Sequence, residues 1–168
     1  MSTFKKNLSL IATIAVILIA SVAGYYFINL KHGPYPVSTF VAVDFKWGVG
    51  AELPNSYNSV KGEYKYLDNK DSLHIVKVKL RANEIIFLHG KINELDFWQL
   101  PDVIANPNSD LKSAKILRYE IVFTYEQKRK KVIYLTDYTE DQGIAVRADE
   151  LQKIITKTIN EAEERYSK

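Results

Sequence analysis

Apolar and polar residues divide this chain into two unlike parts. The first, Leu8 to Leu30, reads LSLIATIAVILIASVAGYYFINL and has no charged residue between Lys6 and Lys31. Its 23 residues would span about 35 Å as a helix, enough to cross a hydrocarbon core of about 30 Å with some tilt. A helix lying on a globular core keeps a polar face, and this run has none. Residues 8–30 are therefore expected to be a transmembrane anchor. Beyond Lys31 the apolar positions become periodic and sparse. Thr39 to Lys46 alternates with Thr39, Val41, Val43 and Phe45 on one face, which predicts a strand. Trp47 to Tyr57 is broken by Gly48, Gly50 and Pro54 and reads as a loop.

Ser59 to Leu67 and Leu73 to Leu80 alternate on either side of the polar turn Asp68-Asn69-Lys70-Asp71, which predicts a hairpin. Ile85, Leu88, Ile92 and Leu95 then follow helical spacing behind Asn83 as a cap, ending near Asp96. Phe97, Trp98 and Leu100 are expected to plug the core before Pro101. Asp102 to Ala114 reads as a polar loop. Lys115 to Tyr125 is a long alternating strand, Glu126 to Lys130 its turn, and Lys131 to Thr136 its partner. Asp137 to Val146 is an irregular connection. Asp149 to Tyr166 closes the chain as an amphipathic helix. These elements give an α+β class: an N-terminal transmembrane helix, then an antiparallel sheet of about five strands with two helices on one face.

The flanks orient the anchor. Lys5, Lys6 and the amino terminus precede it, while Lys31 and His32 follow it. By the positive-inside tendency residues 1–7 are cytoplasmic, residues 31–38 are a linker, and residues 39–168 form a single domain on the extracytoplasmic side. A cleaved signal peptide is the competing expectation. Leu8 to Ile19 would be its apolar region, with small residues near Ala23 for cleavage and a secreted domain as the outcome. Ala12, Val16, Ala20 and Gly24 form a stripe of small residues that would permit weak self-association of the anchor.

Charge changes the picture little. The chain carries 23 Lys and Arg against 20 Asp and Glu, and setting aside Lys5 and Lys6 leaves 21 against 20. Such a balance offers no field for nucleic acid. With no cysteine there is no disulfide framework and no thiol chemistry. His32, His74 and His89 lack metal-ligand spacing, and Asp137, Glu140 and Asp141 fail the register of a calcium loop. Gly48-Val49-Gly50 lacks the rest of a dinucleotide fingerprint. No catalytic, cofactor or metal site is therefore nominated. The contact residues nominated are Trp47, beside two glycines at a strand end, and the basic turn Lys128-Arg129-Lys130-Lys131, which could meet anionic headgroups.

The turn Asp96-Phe97-Trp98-Gln99-Leu100-Pro101, followed by the strand pattern Tyr119, Ile121, Phe123, a basic turn and a closing helix, resembles a broad group of small exported or membrane-anchored bacterial α+β domains without assigned activity. The resemblance spans about residues 60–166 and implies a fold and an exported location. The functional expectation is a non-enzymatic, membrane-anchored envelope protein that binds a protein or envelope component close to the membrane. A small envelope hydrolase or transferase would instead require two or more of His74, His89, Asp137, Glu140 and Asp141 to converge in a pocket. An inhibitor or immunity protein is the third class.

Overall fold

The computed structural model describes residues 2–166, and within its first helix it describes the side chains of residues 10–25. That helix, α1, runs Ser2–His32. Its described apolar side chains project on every side, from 49% exposed at Ile14 to 72% at Tyr25. Among the described residues no helix is long and apolar enough to cross a membrane. The stretch with described side chains, Leu10 to Tyr25, would reach about 24 Å at helical rise. The rest of the expected anchor, residues 8–9 and 26–30, has side chains outside the described residues.

The domain is built on a seven-stranded sheet: β1 (Phe40–Gly48), β2 (Asn55–Asn58), β3 (Glu63–Leu67), β4 (Leu73–Lys77), β5 (Val103–Ile104), β6 (Arg118–Tyr125) and β7 (Lys128–Leu135). Their spatial order is β4-β3-β2-β1-β6-β7-β5. Every pairing is antiparallel except β5 with β7, which is parallel. The sheet is thus larger than the expected five strands, and mixed. Helices α2 (Ala82–Glu94) and α3 (Gln142–Glu164) complete the fold.

Register explains the layering. Phe45 faces both Tyr57 and Ile121, Tyr57 faces Tyr64, and Ile121 faces Val132. Period-two alternation puts these side chains on one face. There they join Leu88 and Ile92 of α2 and Leu151, Ile155 and Ile159 of α3 in one buried cluster. Each fully buried side chain of this size contributes about 1.5–3 kcal/mol. Tyr57 and Tyr64 are buried in the core and Tyr66 packs against it; the Tyr57 hydroxyl donates to Val78 O (3.2 Å), and those of Tyr64 and Tyr66 donate to Asn160 Oδ1 (3.1 Å) and Glu163 Oε1 (3.0 Å) on α3. Burial pushes the phenols of Tyr57 and Tyr64 up to about 12. Phe97 and Leu100 are buried as core plugs behind α2.

Several expected boundaries move for physical reasons. A β-bulge in β1 falls between Phe40 and Ala42. It inserts Val41 as an extra residue and turns it outward, 48% exposed, while Val43 and Phe45 keep the core face. Gly62 adopts a left-handed φ of 58°, so β3 begins only at Glu63 and Val60 is left in the turn before it. The cap of α2 is Arg81, not Asn83: the Glu84 carboxylate accepts from Arg81 N at 2.7 Å. Helix α3 starts at Gln142 because the Asp141 side chain accepts from Ile144 N at 3.0 Å, converting the expected irregular connection into a capped helix.

Candidate interaction surface

The basic run Lys128–Lys131 is not a hairpin tip. The turn is Glu126-Gln127 alone, since Tyr125 pairs with Lys128, and all four cations lie on β7. Strand alternation then separates them. Lys130 shares the helix-side face with Val132, and its side chain is only 13% exposed. Its Nζ donates to Trp98 O at 3.1 Å and Leu100 O at 2.6 Å and lies 3.5 Å from Asp102 Oδ1. Lys130 therefore holds the turn that follows α2. Lys128 shares its parity and is exposed. Lys131 and Arg129 face the open side of the sheet. Lys131 pairs with Glu120 Oε2 at 2.7 Å, and Arg129 is exposed.

Trp47 is half-buried and packs against the core. Its ring stacks on Phe45 at 4.8 Å and lies 6.0 Å from Tyr64, on the core side. The expected loop Trp47–Tyr57 shrinks, because Asn55–Asn58 forms β2 and Asn55 Nδ2 donates to Trp47 O at 3.1 Å. What remains is tied down. Gly50 N donates to Ser113 O at 2.8 Å, and Arg118 donates to Ala51 O at 3.1 Å and also to Leu111 O.

The residues that do come together on the open face were not grouped by sequence reasoning. Asp44 and Lys46 of β1, Glu120 and Val122 of β6, and Arg129 and Lys131 of β7 line a shallow depression of about 240 Å³. Register places Lys46 beside Glu120 and Val122 beside Lys131. Asp44 accepts from Asn58 Nδ2, and Glu120 is shared between Lys131 and Arg118, 3.5 Å away. Three cations thus line it against two carboxylates that already have partners. The only signal for this in the sequence is the parity of Lys46, Glu120, Arg129 and Lys131 along three strands.

A second unanticipated arrangement joins the linker to the domain. Gly33 has φ 58°, and a Cβ there would sit 2.0 Å from Asn93 Oδ1. Tyr35 packs edge-on to Trp98 at 4.7 Å and against Tyr125 at 5.7 Å. Trp98 Nε1 donates to Asn93 Oδ1 at 3.1 Å. That orients the amide so that Asn93 Nδ2 donates to His89 Nε2 at 3.2 Å. His89 Nε2 is then an acceptor and its proton sits on Nδ1, 2.7 Å from Tyr125 Oη. Burial pushes the Tyr125 phenol up strongly. The extended link therefore ends in a built polar and aromatic socket.

The remaining titratable candidates do not converge. His74 lies on β4, where its Nε2 is 3.0 Å from Asp68 Oδ2. That bond, with backbone N–H donors of Ser72 and Lys70, holds the Asp68 carboxyl below its usual range. Asp137, Glu140 and Asp141 follow β7, five strands away along the sheet, or about 24 Å at 4.8 Å per strand. Asp141 is the α3 cap, and His89 is buried in the socket. Among the described residues no group of three or more His, Cys, Asp or Glu could hold a metal. Comparison with family models, curated proteins and solved structures finds no match.

Proposed function

We propose that this chain is a single-pass membrane protein whose α+β domain is held close to the extracytoplasmic surface and acts by binding rather than catalysis. The observation that carries the reading is α1: a 31-residue helix with apolar side chains exposed around its described length, leading straight into the linker. Water does not favour such a surface, and lipid does. The socket at Gly33 and Tyr35 supports a domain held at a set position rather than tethered loosely. The open-face depression with Lys46, Arg129 and Lys131 is the surface we assign to the partner, an acidic protein or envelope component.

Extraction tests the anchor. The full chain is expected to stay with membranes through alkaline carbonate washing. Replacing Ile14 and Ile17 together by Arg, at about 2.5–3.5 kcal/mol each near a helix centre, is expected to release most of it. Release of the unaltered chain by carbonate would reject the reading.

A further inference from the structure

Helix α2 carries apolar residues on two sides. Leu88 and Ile92 are buried in the core, while Ile86 and Phe87 are 57% and 48% exposed. Residues 85–90 include no Lys, Arg, Asp or Glu. The Glu84 carboxylate, in the first turn, is folded back onto Arg81 N at 2.7 Å and onto Arg165. Among the described residues a Cβ at Gly90 would meet nothing within 4 Å. The outer side of mid-α2 is therefore apolar and open. Its neighbour is the end of α1. At about 100° per residue, Ile86 and Asn93 lie about 20° apart around the α2 axis, so they share one stripe. Gly33 sits on the Asn93 amide, and α1 packs against α2. Gly33 is three residues past Leu30, the end of the apolar run, or about 4.5 Å at helical rise. The stripe that receives the chain as it leaves α1 is thus the stripe that exposes Ile86.

We propose that this face of α2 rests on the membrane that α1 enters, with Ile86 and Phe87 buried at the boundary of headgroups and acyl chains. The inference deepens the membrane reading and rests on it. Apolar side chains held at that depth lose their contact with water. A bilayer is chosen over a protein partner because the docked linker fixes the end of the apolar run beside this face. Lys79 and Arg81, exposed just ahead of the helix, are cations that a headgroup layer accommodates. Resting on α2 turns the helical layer toward the membrane. The open face of the sheet, with its depression, then points away from it.

The test uses the full chain in lipid nanodiscs of phosphatidylcholine and phosphatidylglycerol, exploiting the absence of cysteine. Ile86→Cys, Phe87→Cys and Ile75→Cys each carry one environment-sensitive fluorophore. Ile75 is a control on the open face, 56% exposed. Brominated acyl chains are expected to quench the probe at 86 and at 87 at least about threefold more strongly than at 75. Aqueous iodide is expected to give the reverse order. Equal quenching by brominated lipid at the three positions, in a chain that co-elutes with the discs, would overturn the proposal and leave the anchor standing. Protection of 86 and 87 from both quenchers would assign the face to a protein partner and overturn it equally. A chain that does not co-elute with the discs would remove the anchor, and the proposal with it.

Discussion

Replacing Lys130 by Met separates a strand-borne structural cation from one of a solvated turn. Met keeps most of the apolar stem and removes the ammonium. That ammonium donates to Trp98 O and Leu100 O while its side chain is 13% exposed. Hydrogen bonds from a charged donor are worth about 1.5–3 kcal/mol each in net terms, and carbonyls left without a donor add to the loss. The 3.5 Å pair with Asp102 adds at most about 0.5 kcal/mol, because that carboxylate is 83% exposed. The expected destabilisation is about 3 kcal/mol, allowing for partial replacement of the lost donor by water. Lys128→Met and Arg129→Met, on exposed side chains of the same strand, are expected within about 0.5 kcal/mol of the unaltered chain. Urea unfolding followed by tryptophan fluorescence measures all three, with Trp98 reporting directly on the turn that Lys130 holds. The midpoint should fall for Lys130→Met alone, with an unchanged slope. Equal midpoints for the three variants would show that the Lys130 contacts contribute nothing, and the division of the basic run by strand parity would lose its energetic meaning.

Gly33→Ala combines a left-handed backbone with a Cβ placed on the Asn93 amide, and is expected to cost about 2–4 kcal/mol. A shift in Trp98 emission should accompany it, and an unchanged spectrum would argue against the socket. Trp47→Ala is expected to destabilise by about 2 kcal/mol through the lost Phe45 stack together with the buried part of the ring; no change in urea midpoint would point to a ring with no packing role. Tyr57 and Tyr64, raised to about 12, predict alkaline sensitivity. Their folded values lie above the unfolded value near 10, so their contribution is fully present below pH 10 and is lost as pH rises from 10 through 12. At about 1.4 kcal/mol per unit, each removes about 2–3 kcal/mol by pH 12. Absorbance near 295 nm should show late-titrating phenols ionising together with unfolding, and full titration near pH 10 in a folded chain would contradict it.

What could be read from the residues followed from how strictly they alternate. The hairpin of β3 and β4 was legible because Tyr64, Tyr66 and Val76 alternate with charges around a polar turn. Strand β2 was not, because Asn55, Ser56 and Asn58 have low strand propensity and only Tyr57 is buried. It is held by side-chain amides: Asn55 bonds both Trp47 O and Leu67 N. Two-residue β5 has no period to detect. The basic run read as a turn because four successive cations look solvated, and the real turn, Glu126-Gln127, lacks the glycine or asparagine that marks tight hairpins. The socket was out of reach for a different reason. Gly33, His89, Asn93 and Tyr125 are brought together by the fold, and no local pattern links them.

The proposed function requires one placement: a retained anchor with the domain on the extracytoplasmic side. Val60→Cys gives a single exposed thiol in a chain without cysteine. Cells stripped of any outer membrane but otherwise intact are treated with a membrane-impermeant maleimide, and labelling and mass are read on the same protein. The account predicts labelling before lysis at the full mass of 19.3 kDa plus the label. Labelling of a chain shortened near Ala23, or labelling only after lysis, would contradict it.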